Sequence, residues 1–275
     1  MAAATEPTQS SPRWSVVLPY YNERDFIAPT IRSILLQESV SLQLILVDNA
    51  STDGSEQVAR AEVGEDAGAV IFLSEPAPGK SRALETGLAV VETEFVALCD
   101  ADTIFPRDYL KRAQDLFDEN GDNAGGVIAF ARAADLSDYW GSAVRRFAAR
   151  MLRKQCHAGG FGHAFRTEIL REAGGASYDR WPFVLLDHEM FHRVVRISDC
   201  IYDGGHICFP SRRRKSRKSV RWNLLERLLY NLTPNRLKDW YFYKFLGPRL
   251  LKRGLYQGNL RDHPWTASAA GSESR

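Results

Sequence analysis

Short apolar runs alternate with amphipathic stretches along the first half of the chain. Trp14 to Pro19 (WSVVLP), Leu42 to Val47 (LQLILV), Ala69 to Leu73 and Phe95 to Cys99 are continuous in hydrophobicity and bounded by turn residues. That pattern predicts strands buried on both faces. Between the first two, Asp25 to Gln37 carries Phe26, Ile27, Ile31, Ile34 and Leu35 at helical spacing. The run Asp48 to Ser55 gathers turn and N-cap residues ahead of a second helix. After the break at Pro78-Gly79, Lys80 to Val91 repeats the helical pattern with Ala83, Leu84, Leu88 and Val91. Beyond Pro106 the alternation loosens into a helix over Asp108–Phe117 and a strand over Gly126–Ala131. Tyr139 to Lys154 then sets Trp140, Val144, Phe147 and Met151 against a face of arginines.

Strands alternating with helices at this spacing predict an α/β fold of right-handed βαβ units around a mostly parallel sheet flanked by helices. Such sheets bind ligands beyond the carboxyl ends of their strands. On that geometry Pro19–Glu23, Asp48 and Asp100–Asp102 share one rim. The pattern divides the chain into a polar leader over 1–12 and an α/β domain over 13–210, with a regular half over 13–105 and a looser half over 106–210. A basic, aromatic helical extension over 211–261 and a tail over 262–275 follow, the leader and the tail being expected to be disordered.

Composition narrows the class. With 275 residues and 44% hydrophobic content the chain can bury a large core. Its four cysteines lack metal-site spacing, and Cys99 sits inside a strand, which suits a reducing compartment. The leader has no apolar core of the signal-peptide kind, and no window reaches the length of a spanning helix, so a cytoplasmic protein, peripheral on the inner membrane face, is expected. Net charge is only +2, yet residues 211–261 hold 15 Lys or Arg against two acids, leaving 21 basic against 32 acidic residues elsewhere. A basic arm on an acidic body implies an anionic partner: a phosphate-bearing substrate or an anionic membrane surface. No nucleic-acid motif accompanies it.

The triplet Asp100-Ala101-Asp102 ends the fourth apolar run. An Asp-x-Asp arises by chance roughly once in a chain of this composition, so its context carries the argument. Five blocks in order, VVLPYYNERDFIAPTIRSILLQ, LILVDNASTDGS, PGKSRALETGLA, FVALCDADT, and GGFGHAFRTEILREAGG with LLDHEMFHRV after it, resemble glycosyltransferase family 2 of the GT-A fold, over roughly Trp14 to Trp222.

The resemblance implies a nucleotide-diphospho-sugar donor gripped by Pro19, Tyr21, Asn22, Glu23 and Asp48, with Lys80 and Arg82 facing the diphosphate at a helix start. It implies that Asp100 holds the ribose or a metal-bound water, that Ala101 lies between the two acids, and that Asp102 coordinates Mn2+ or Mg2+. Asp187 is the implied base that takes the acceptor's proton, with Glu189 a rival pointing to another side of the helix. Gly160, His163 and Arg166 resemble the acceptor-side loop, and Arg217, Arg221 and Trp222 a motif that clamps diphosphate or acceptor. Asn49 and Leu186 stand where the family more often has acids. Competing readings are an Asx-turn or N-cap role for Asp48, a solvated helix face for Lys80 and a structural histidine at His163.

The resulting expectation is an inverting, metal-dependent transferase moving a sugar, with UDP as the nucleotide, to a lipid-linked or polysaccharide acceptor. A polyprenyl-phosphate sugar synthase and a non-catalytic nucleotide-sugar-binding protein are the alternatives. Trp240–Leu246 and Arg249–Arg253 interleave aromatics with cations, which suits either a membrane-interface helix or a helical layer packed on the domain.

Overall fold

A computed structural model describes residues 11–64, 69–132, 154–157, 159–211 and 223–259. The helix expected over 139–154, all but its last residue, lies outside the described residues, as do most of the leader, the tail, and Arg217, Arg221 and Trp222.

The apolar runs form the parallel half of a single sheet. β1 (Trp14–Tyr20), β2 (Leu42–Asp48), β3 (Val70–Ser74) and β4 (Phe95–Cys99) run parallel, joined by α1 (Ile27–Leu35), α2 (Ser55–Val63) and α3 (Lys80–Leu88). β1 and β4 are buried along their whole length, as continuous hydrophobicity requires. A two-residue β5 (Thr103–Ile104), α4 (Tyr109–Asn120) and β6 (Ala124–Ala131) follow.

The second half departs from the sequence expectation. Gly162–Arg166, expected as part of a loop, is a buried strand, β7, inserted antiparallel between β4 and β6. After α5 (Thr167–Glu172) and α6 (Leu186–Val194), the twelve-residue β8 (Asp199–Pro210) lies parallel to β6, with register shifts along the pair. The eight strands run in the order β3-β2-β1-β4-β7-β6-β8-β5. One sheet therefore crosses the boundary between the two expected halves.

The described part of the basic extension forms α7 (Leu224–Leu232), a π-helical stretch Trp240–Leu246 and α8 (Gly247–Lys252). Tyr241, Phe242 and Leu246 are buried, and Phe242 packs edge-on against Trp181 and stacks on His192. Of the two sequence readings, the packed helical layer is the one this stretch adopts. No described helix is long and apolar enough to cross a membrane.

Candidate functional site

Three loops at the carboxyl ends of β1, β2 and β3 are laced together by side chains from the turn-rich runs. The Ser51 hydroxyl accepts the Asn22 N–H (3.1 Å) and the Ser55 hydroxyl the Glu23 N–H (2.8 Å), while Asn22 Oδ1 accepts the Thr52 N–H. The Asp48 carboxylate closes a local turn in the manner of an N-cap, its Oδ1 accepting the Ser51 N–H three residues on at 3.1 Å. Its competing structural role is thus present at the expected place beside Tyr20, whose backbone carbonyl accepts the Asn49 N–H. Asn49 explains its own departure from an acid. Its amide donates to the carbonyls of Glu75 and Ala77, both 2.8 Å, while its oxygen accepts the Gly79 N–H at 3.0 Å. A carboxylate has no hydrogens for those two carbonyls.

β4 delivers the acidic triplet to the same rim. The Ala101 carbonyl accepts the Thr30 hydroxyl at 3.0 Å, fixing the turn between the two acids. Asp100 is ion-paired with Lys80, whose Nζ also donates to the Gly160 carbonyl at 3.2 Å. Gly160 stands there because β7 pairs antiparallel with β4, setting Gly162 opposite Cys99. Asp102 is nearly enclosed, and its Oδ2 accepts the Ser211 hydroxyl at 2.7 Å, just past the end of β8.

α6 brings Asp187 to this cluster. Leu185, in the left-handed region at φ 66°, turns the chain into the helix, and Asp187 lies in its first turn. A Cβ placed on Gly160 would sit 3.1 Å from the Asp187 Cβ, so glycine is what lets the carboxylate reach the rim. His188 Nδ1 is 3.1 Å from Asp187 Oδ1. Burial pushes the Asp187 carboxyl up, but the His188 ring, with His163 and Lys80 behind it, outweighs that and holds it well below the usual carboxylate range. Asp187 is therefore ionised at neutral pH.

Several expected residues serve other ends. Glu189 is fully buried, ion-paired to Arg193 at 2.8 Å and bonded by Tyr243, which removes it as a rival base. Arg166 lies at the opposite end of β7, opposite Phe95; it bonds the carbonyls of Ala124 and Gly121 and covers Phe95 and Phe117. Its separation from Gly160 is the consequence of a strand forming where a loop was expected. His163 is buried on that strand, its Nε2 without a hydrogen-bond partner among the described residues, and burial lowers its pKa to about 4. Arg82 stacks on Tyr178, its guanidinium carbon 3.8 Å from the ring centroid. The Ser81 N–H at the start of α3, expected to face a diphosphate, donates to Gln257 at 2.7 Å. Gln257 was invisible to motif reading because it returns from 176 residues away.

Among the described residues no three His, Cys, Asp or Glu side chains gather as a preformed metal cage. The donor set of Asp100 and Asp102 still fits a hard divalent ion, since Mg2+ is commonly held by one or two carboxylates plus substrate phosphates. A separate groove of about 400 Å³ between α3 and α5, lined by Leu88, Thr167 and Leu170, lies by the opposite end of β7.

The sequence profile described as "Glycosyl transferase family 2" matches residues 15–173, more than half of the chain. The chain belongs to glycosyl transferase family 2. The match ends before Asp187, whose place in the site rests on geometry. Glycosyltransferase GlyG of Streptococcus pneumoniae is 29% identical over 97 residues, covering 35% of this chain and 32% of that protein. The chain spans less than half the length of the curated relatives it matches. Among solved structures, the mannosyltransferase PcManGT from Pyrobaculum calidifontis, in complex with GDP-Man and Mn2+, superposes with a TM-score of 0.59 at 23% identity, covering 99% of this chain and 79% of that one. Staphylococcus aureus TarS 1-349 with UDP-GlcNAc gives 0.59 at 17% identity, covering 85% and 71%. The family member therefore has the GT-A fold of these transferases.

Proposed function

We propose that this protein is an inverting glycosyltransferase that takes a sugar from a nucleotide-diphospho-sugar, with UDP as the nucleotide, and passes it to a saccharide or lipid-linked acceptor at the cytoplasmic face of a membrane. One observation carries the reading. An ionised carboxylate, Asp187, abuts Gly160, and the Gly160 carbonyl is tied through Lys80 to Asp100 of the acidic triplet. A base and a diphosphate-binding rim thus face one another across a single glycine.

In this reading the laced loops around Pro19, Tyr21, Glu23 and Asp48 hold the nucleoside, and Lys80 and Arg82 offset diphosphate charge. Asp102, with Asp100 beside it, would hold Mn2+ or Mg2+, which supplies Lewis-acid neutralisation of the departing nucleotide when bound. PcManGT and TarS, solved with GDP-Man and Mn2+ and with UDP-GlcNAc, support a nucleotide-sugar donor. Asp187 takes the proton from the acceptor hydroxyl as that oxygen attacks the anomeric carbon opposite the leaving group, which inverts the configuration.

A thermal-shift panel of nucleotide sugars with Mn2+ should select UDP-sugars, and absence of a shift with every donor refutes the donor assignment. Asp187→Asn, close to isosteric, should lower turnover about 100- to 10,000-fold while donor binding is retained. Unchanged turnover would remove Asp187 from the chemistry.

A further inference from the structure

One helix of the C-terminal layer carries leucine on its outside. On α7, Leu224, Leu225, Leu228 and Leu232 are 89, 50, 55 and 67% exposed, whereas Glu226 and Tyr230 are buried. At 3.6 residues per turn the four leucines fall within an arc of about 100°. The helix is firmly held from its inner side. Asn223 and Glu226 form a capping box, Glu226 is ion-paired with Arg249 (3.2 Å) and Arg253 (3.0 Å), and the Tyr241 hydroxyl donates to the Glu226 carbonyl. The exposed stripe is thus a fixed surface of the fold.

Charge indicates what covers it. Residues 223–259 hold seven Lys or Arg and two acids, Glu226 and Asp239. Both acids are already paired, Glu226 as above and Asp239 with His192 and Arg196. The sequence just before the helix, 211–222, adds seven more cations and no acid. Arg249 and Arg253 answer Glu226 and Lys238 is buried, which leaves Arg227, Arg236, Lys244 and Lys252 exposed around the layer. An apolar stripe on a layer with this net positive charge matches anionic headgroups above acyl chains, and the same charge repels a second copy of the chain.

The position of the helix gives the contact a purpose. Tyr230, on the inner face, packs edge-on against His188 with centroids 5.6 Å apart, and His188 neighbours Asp187. The outer face of α7 is therefore about one helix diameter, ~10 Å, from the candidate base's neighbour.

We propose that α7 lies in the surface of an anionic membrane with Leu224, Leu225, Leu228 and Leu232 at the acyl boundary, presenting the Asp187 side of the site to the bilayer. That this side receives a lipid-linked acceptor rests on the function proposed above; the docking itself does not.

The test is flotation of the 275-residue protein with phosphatidylcholine vesicles with and without phosphatidylglycerol, comparing the parent with a Leu224→Ser, Leu228→Ser, Leu232→Ser variant whose fold is checked by circular dichroism. The parent should float only with the anionic vesicles, and the triple variant should partition at least about 100-fold less. Leu228→Ser alone, at an exposed position, should lose roughly tenfold and serves if the triple variant misfolds. Three results overturn the proposal: a parent that stays unbound, a variant that floats as the parent does, or a leucine-dependent dimer in gel filtration without flotation. The UDP and Mn2+ thermal shift, measured on both proteins, reports the donor site separately, so failure of the catalytic reading leaves the flotation result standing.

Discussion

Gly160 is the residue on which the site's two halves meet. Its backbone carbonyl receives Lys80, and the space where a side chain would stand is taken by Asp187. The residue has no positive φ among the backbone outliers, so alanine is compatible with its local conformation and the effect of adding a methyl is purely one of contact. At 3.1 Å from the Asp187 Cβ, that methyl must push the start of α6 outward by a few tenths of an ångström. Gly160→Ala should therefore lower kcat by about tenfold or more, because small misplacements of the proposed base are costly, while the urea midpoint stays nearly unchanged. Steady-state kinetics beside urea unfolding checks this; full activity would show that Asp187 need not sit so close. Asn49 and Gln257 act at the same scale by other means, each satisfying backbone groups of a loop that the sheet alone leaves open.

At the scale of elements, α3 shows how close a helix must come to the sheet for its first residue to reach the rim. A Cβ on Gly87 would meet Val17 at 2.5 Å and Val47 at 3.1 Å, so the helix rests on β1 and β2 through a missing side chain. Gly87→Ala gains helix propensity of about 1 kcal/mol but overpacks a buried contact at a cost of roughly 1–3 kcal/mol, for a net loss of up to about 2 kcal/mol that denaturant unfolding would read. If the net change is stabilising, α3 can lift without penalty and does not set the position of Lys80. The same elements explain what was legible in the sequence. β1, β2 and β4 were readable because strands buried on both faces are continuous in hydrophobicity, and their carboxyl ends located Asp48 and Asp100–Asp102 correctly. β7 was not, because Gly162 and His163 read as a loop until neighbours on either side bury them. β8 was hidden by Asp203, Gly204 and Gly205 in its middle, where its register with β6 shifts. Asp187 was found through its motif, whereas its contact with Gly160 depends on β7 and could not be read locally. The apolar residues of Trp240–Leu246 were legible as apolar, but only packing tells which of them face inward.

For the whole molecule, the antiparallel insertion of β7 and the length of β8 bury two histidines that are absent from any hydrophobic pattern. His163 and His206 are both nearly inaccessible, and His206 stacks on Tyr109 with centroids 4.5 Å apart and both ring nitrogens unpartnered among the described residues. Burial lowers their pKa values to about 4 and about 3, although Asp187 and Asp100 near His163, and Asp203 near His206, pull the other way. The sign of the linkage follows. A folded-state pKa below the unfolded value near 6.5 means that, as pH falls below about 6.5, the unfolded chain takes up protons that the folded chain refuses, so stability present at pH 7.5 is lost towards pH 4. Each ring accounts for about 2 kcal/mol of that loss by pH 5. Urea unfolding at pH 7.5 and pH 5.0 should show a combined fall of about 4 kcal/mol from these two groups. His206→Phe keeps the stack on Tyr109, removes two unsatisfied nitrogens, and should reduce the acid-induced fall by about 2 kcal/mol without touching the candidate rim. An acid-induced fall of the same size in His206→Phe would mean that this ring is hydrated or paired in solution, and that the loss belongs to other groups in the sheet.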